Sequence, residues 1–202
     1  MKIQKLYINN EGYVQCKSNF YSSLDVLQVN SQYEFSAGIN KLYGEIDSGV
    51  WAVSYLLSMY TLKKKDFVLF NETNITVNDV DMSLKHFTKH SCYMDEIYPL
   101  FATSTSIKKL VTKGINDNNL TCTTENVRNI FGIDSERFEY PLSRLGNERF
   151  KAMAAIGYCN NKQVFCFPWL SRMRFENYHN NMTELLEILA KLKKIVIVPI
   201  GE

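Results

Sequence analysis

The first third of the chain is written in short runs that alternate or cluster β-forming residues: Lys2 to Ile8, Tyr13 to Lys17, Leu24 to Val29 and Gln32 to Phe35. This pattern predicts strands. A glycine turn at Gly38 leads into Ile39 to Tyr43, a further short strand, and then into Gly44-Glu45-Ile46-Asp47-Ser48-Gly49. Beyond these small and polar residues Val50, Val53, Leu56, Leu57 and Tyr60 recur at helical spacing, so a helix is expected over Val50 to Leu62. The order is strand, small-residue loop, helix.

Asp66 to Phe70 reads as a strand, Asn71 to Asp81 as turns around a short strand at Ile75 to Val77, and Ser91 to Met94 as a buried strand. The middle third is helical in pattern, with amphipathic stretches at Ser106 to Lys113 and Thr124 to Phe131, the second opened by a threonine cap and Glu125 in its first turn. Pro141-Leu142-Ser143 precedes a helix running through Tyr158, whose Ala152, Ala154, Ala155 and Gly157 allow close packing. Val164 to Phe167 reads as an apolar strand, Thr183 to Leu192 as a helix capped by Thr183, and Ile195 to Val198 as a final strand. Strands alternating with helices predict a parallel sheet core. No internal repeat or linker divides the 202 residues, so a single domain is expected.

Composition narrows the class without naming it. Apolar residues at 46% and charged residues at 22% are ordinary globular values, and a net charge of +2 with interspersed signs gives no footprint for nucleic acid. The runs Val164 to Leu170 and Ile195 to Ile200 are far shorter than the roughly 20 residues that cross a bilayer. With no apolar leader-like stretch at its start, the chain is expected in the cytoplasm. Its five cysteines, Cys16, Cys92, Cys122, Cys159 and Cys166, are scattered and lack CxxC spacing, so reduced thiols are expected and the Asn-x-Ser/Thr matches at Asn71, Asn74, Asn119 and Asn181 are incidental. Lys63-Lys64-Lys65 complements the negative end of the preceding helix. His86 and His90, four apart, have a metal-compatible spacing but no nearby cysteine and read as a surface pair; Asp95-Glu96 reads as a solvated edge.

Five segments, taken in order, carry a resemblance. YGEIDSGVWAVSYLL, from Tyr43 to Leu57, has Gly44, Ser48 and Gly49 placed as in a phosphate-binding loop. In CYMDEIYPLFATSTSIKKLV, Tyr93, Leu100, Phe101 and Thr105 fit a second pattern; in PLSRLGNERFKAMAAIGY, Leu142, Ser143, Arg149, Ala152 and Ala154 fit a third. VFCFPWLS and KKIVIVPIGE supply two apolar strands in the remaining places. Together they resemble the ATP-binding-cassette (ABC) ATPases over about nine-tenths of the chain.

The resemblance implies a P-loop NTPase-like α/β fold of the ABC ATPase type, with a parallel sheet core, an N-terminal antiparallel β subdomain and a helical subdomain insertion. One domain over residues 1–202 is expected, with 1–104 and 134–202 forming the core and about 105–133 the helical part. In working members a loop lysine and the next hydroxyl residue hold the phosphates and Mg²⁺; here those places hold Val50 and Trp51, and no lysine lies between Gly44 and Leu62. The family's glutamine is missing near Asp95 and Glu96, and the two signature glycines are Arg144 and Leu145. Pro168 and Trp169 stand where an Asp-Glu pair belongs, with no acidic residue from Arg149 to Phe175, and Ile200 stands at the switch histidine. No catalytic residue and no required cofactor are therefore expected, and at most weak ATP binding through Gly44, Ser48 and Gly49, with Tyr21 at the adenine-stacking place and Ser143 as a signature remnant. The resemblance further implies a second nucleotide-binding domain and a membrane permease as partners, on the inner face of the cell membrane. A free-standing scaffold on the same fold is the other reading.

Overall fold

The computed structural model describes residues 1–17, 24–27, 30–45, 47–63, 67–70, 73–95, 97–101, 104–146, 148–177 and 179–202. Along the chain run strands β1 (Lys5–Asn10), β2 (Tyr13–Lys17), β3 (Leu24–Leu27), β4 (Ser31–Ser36) and β5 (Gly38–Tyr43), then helix α1 (Val50–Met59). Strands β6 (Phe67–Phe70), β7 (Thr73–Val77) and β8 (Val80–Met82), helix α2 (Leu84–Phe87) and strand β9 (Ser91–Tyr93) follow. Helices α3 (Ile107–Asp117), α4 (Thr124–Ile130) and α5 (Ser135–Phe138) lead to a 3-10 turn at Leu142–Arg144 and helix α6 (Arg149–Cys159). The chain continues through strand β10 (Val164–Cys166), helices α7 (Arg172–Asn177) and α8 (His179–Lys191), and strand β11 (Ile195–Ile200).

Among the described residues the strands form three sheets. Two are antiparallel, β4-β1-β7-β8 and β3-β2-β6, and the third, β5-β11-β10-β9, is parallel. The antiparallel strand β1 shows the alternation of a one-sided sheet, burying Leu6, Ile8 and Asn10 and turning Lys5, Tyr7 and Asn9 outward. Every residue of β11 is buried, as its unbroken IVIVPI run requires for a strand flanked by β5 and β10 and covered on both faces.

Helix α1 is the centre of the molecule. All ten of its residues are buried, because it packs against β9, β10 and β11 of the parallel sheet and also against β2 and β3. A helix held between two sheets has no solvent face, and its sequence is apolar all round. Its two serine hydroxyls are satisfied: Ser54 Oγ donates to the Phe167 carbonyl (2.5 Å) and Ser58 Oγ to that of Ser54 (2.7 Å).

Several predicted boundaries move. Helix α1 ends at Met59, short of Leu62, with Tyr60 as its C-cap. The expected helix after Pro141 is broken into the 3-10 turn and α6, with Leu145 in extended backbone between them. Helix α8 begins at His179, so Thr183 lies inside it and is not its cap; the first turn, His179-Asn180-Asn181, is polar and gives no periodic signal. Helices α2, α5 and α7 were not expected, being too short for a helical period to register.

Candidate phosphate-loop site

The carboxyl ends of β5, β10 and β11 meet at one place, the end of a parallel sheet at which ligands are commonly held. Gly44 N–H donates to the Ile200 carbonyl (3.0 Å), and Leu170 and Gly201 exchange bonds with the neighbouring strand end, Leu170 N to Pro199 O at 3.1 Å and Gly201 N to Leu170 O at 2.9 Å. The Trp169 indole reaches across to donate to the Gly44 carbonyl (3.0 Å). Three of the five segments singled out in the sequence therefore converge on the GEIDSG loop.

Within the loop Ser48 donates to the Glu45 carbonyl through both its backbone N–H (3.0 Å) and its hydroxyl (2.6 Å). A side chain at Gly44 would fall on that hydroxyl. Gly49 is the N-cap of α1 at φ +90°, and a Cβ there would stand 2.7 Å from the Val26 carbonyl oxygen. Only glycine combines that backbone angle with so close an approach. Gly49→Ala is expected to lower folding stability by about 2 kcal/mol, read from urea unfolding; an unchanged midpoint would show that the loop can relax.

The N-terminus of α1 is not empty. Asp25, fully buried on β3, accepts the Gly49 N–H on Oδ1 (2.7 Å) and the Ala52 N–H on Oδ2 (2.7 Å), while its Oδ1 also takes the N–H of Val26 (3.0 Å). Burial pushes the Asp25 carboxyl up to about 6; the three backbone N–H groups pull the other way, and nearby Asp47 adds to the rise. The first turn of α1 has no acidic residue, and Gly49 has no side chain to cap it. A helix start without a local cap, together with a lone acid inside an apolar strand run, is the signal by which Asp25 could have been found.

The positions at which the sequence resemblance looks for magnesium and water ligands are core positions in this fold. Trp51 is 2% exposed, stacks on Tyr55 with ring centroids 4.7 Å apart, and donates its indole N–H to the Tyr93 hydroxyl (2.9 Å). Val50, Pro168 and Ile200 are buried as well. Among the described residues no group of three His, Cys, Asp or Glu is placed to hold a metal ion. A cavity of about 510 Å³ at the same end of the sheet is lined by Tyr43, Phe175, Ile200 and Gly201, and its lining includes none of Gly44, Ser48 and Gly49.

Ser143 is exposed on the 3-10 turn, and Leu145, which the sequence resemblance sets at one of two signature glycines, is buried at 4% exposure. Tyr21 and Glu96 lie outside the described residues. Asp95 accepts the Ile97 N–H (3.1 Å) as an ordinary turn residue. The His86 and His90 rings are 5.6 Å apart, with His90 following α2, and burial first and the neighbouring cations second lower the pKa of His90. All five cysteines are free thiols, four of them buried.

The fold is that of the ABC ATPases: a parallel sheet core, antiparallel β sheets and helices in the P-loop NTPase-like arrangement. A protein assigned as the ATP-binding protein of an ABC transporter in Pyrococcus furiosus matches with a TM-score of 0.62 at 13% identity, over 98% of this chain and 90% of that one. The dimeric, post-hydrolysis state of the ATP-binding cassette MJ0796, bound to ADP and phosphate, matches with a TM-score of 0.61 at 9% identity, over 98% and 88%. No family model and no curated protein matches the chain in sequence. No helix among the described residues is long and apolar enough to cross a membrane.

Proposed function

We propose that this chain is a catalytically degenerate nucleotide-binding-domain-like subunit, cytoplasmic and docked on the inner face of the membrane, that pairs with another nucleotide-binding domain and a permease and hydrolyses little or no ATP. The observation that carries this reading is Trp51. Phosphoryl transfer to water needs cations on the phosphates and a placed nucleophile. At the hydroxyl position of the loop this chain instead has an indole that is 2% exposed and bonded to Tyr93. The neighbouring place of the loop lysine is the buried Val50, and the acidic pair is Pro168-Trp169, whose indole is drawn onto the loop itself. What survives, Gly44, Ser48 and Gly49, shapes the backbone and supplies no charge.

Pairing is supported by the dimeric form of the MJ0796 cassette and by the exposed Ser143 turn, which stands at the place of the signature motif. The subunit then contributes shape and regulation to a partner that turns over. Two measurements test the reading. Equilibrium binding with MgATP should show no micromolar affinity and no phosphate release, and purification from membranes should bring down a polytopic protein with an intact ATPase. Measurable hydrolysis would overturn the degenerate assignment; a soluble homodimer with no membrane partner would replace the transporter subunit by a free-standing scaffold.

A further inference from the structure

The sharpest feature of the loop is the group that occupies it. Two backbone N–H groups at the start of a ten-residue helix converge on one point, and both are taken by a single carboxylate from a different sheet. Helix starts of this kind attract anions, through the unsatisfied N–H groups and the helix dipole together. We propose that the Asp25 carboxylate is a built-in anion of this loop, holding Gly49 and Ala52 in the place and manner of a bound phosphate oxygen pair, so that the loop is filled before any nucleotide reaches it. This deepens the functional reading above and rests on it for the identity of the loop.

Three observations support an anion site with a resident ligand over an incidental cap. The carboxylate spreads its two oxygens over two amides three residues apart, each at 2.7 Å, as a tetrahedral oxyanion would with two of its oxygens. Asp25 is delivered by a strand and not by a loose loop, since β3 is paired to β2 in the register Cys16↔Asp25 and Gln15↔Val26. The approach is also close: the Val26 carbonyl oxygen would stand 2.7 Å from a Cβ on Gly49, so β3 lies directly against the start of α1. A ligand tethered in this way competes at an effective concentration in the millimolar range or above, which a free nucleotide lacking its lysine and its magnesium ligand does not match. The subunit is therefore fixed in one loop conformation and does not cycle with nucleotide.

The test removes the carboxylate and offers free anions in its place. Asp25→Ala is compared with the wild type by thermal unfolding in phosphate or sulfate against chloride at equal ionic strength, with the Gly49 and Ala52 amide resonances followed through a phosphate titration. Expected are a destabilised variant that phosphate and sulfate restore and chloride does not, movement of those two amides, and a phosphate response at least about tenfold more sensitive than any in the wild type. Equal phosphate responses in the two proteins, or a variant that no oxyanion restores, would overturn the proposal. Should Asp25→Ala not fold, hydrogen exchange on the unliganded wild type decides: protected Gly49 and Ala52 amides support the resident anion, and freely exchanging ones sink it. Hydrolysis of MgATP by the wild type would end the functional reading instead, so the two failures are told apart.

Discussion

Trp51→Thr places a hydroxyl where the resemblance puts that of working phosphate loops, and it is expected to cost this protein about 4 kcal/mol of folding stability without producing a magnesium site. The magnitude follows from what the indole does. It is 2% exposed at the second position of a helix with no solvent face, it stacks on Tyr55, and its N–H is the donor to Tyr93, whose ring in turn meets Tyr55 edge-on at 5.3 Å. Threonine removes most of a buried aromatic surface, leaves a cavity between α1 and β9, and removes the indole N–H that the Tyr93 hydroxyl accepts. Trp51→Phe keeps the ring and loses the donor, so about 1 kcal/mol is expected. Urea unfolding of both variants, with calorimetric MgATP titration of whichever folds, checks the pair. A Trp51→Thr protein as stable as the wild type would mean that this position is an unused ligand place and not core.

The contrast between Trp51 and Asp25 shows what a sequence exposes. That Gly44, Ser48 and Gly49 share one loop was legible, because small and polar residues between two apolar stretches mark a connection between a strand and a helix. The parallel core was legible from its unbroken apolar runs, and the whole of β11 is buried. The all-round burial of α1 was not: Val50, Val53, Leu56 and Leu57 mark one face, yet Trp51, Ala52, Tyr55 and Met59 are buried as well, since a second sheet covers the helix from the side that a surface helix turns to water. Asp25 was least legible, because its meaning is entirely non-local. In the sequence it interrupts a β-forming run 24 residues before Gly49, and only the pairing of β3 with β2 and their packing on α1 aims it at the loop.

That non-local placement has a pH signature. The Asp25 carboxyl stands near 6 in the folded chain against 3.8 as its ordinary value, chiefly because it is buried. Between those values the folded state holds a proton that the unfolded state has released, so stability from this group is complete at acid pH and falls as pH rises through about 6. Integrated over the shift this amounts to about 3 kcal/mol, lost between acid and neutral pH. Other carboxylates run the opposite way, Asp134 among them, whose capping bonds to Arg137 and Glu136 hold its pKa below the usual range. The clean observable is therefore a difference. Asp25→Asn cannot titrate, keeps one acceptor oxygen, and turns an amide N–H₂ toward a backbone N–H that needs an acceptor. The stability gap between wild type and Asp25→Asn should widen as pH is lowered from 7 toward 4, because only the wild type recovers what ionising a buried acid costs. Denaturant unfolding of both proteins across that range gives the gap directly; one that stays constant would show that Asp25 does not titrate in the folded chain, and one that narrows on acidification would show that its carboxylate is favoured by its amides more than burial disfavours it. At neutral pH the group is mostly ionised even so, and a protein that keeps a buried carboxylate charged against its own desolvation has placed it where two N–H groups and a helix dipole are already asking for an anion.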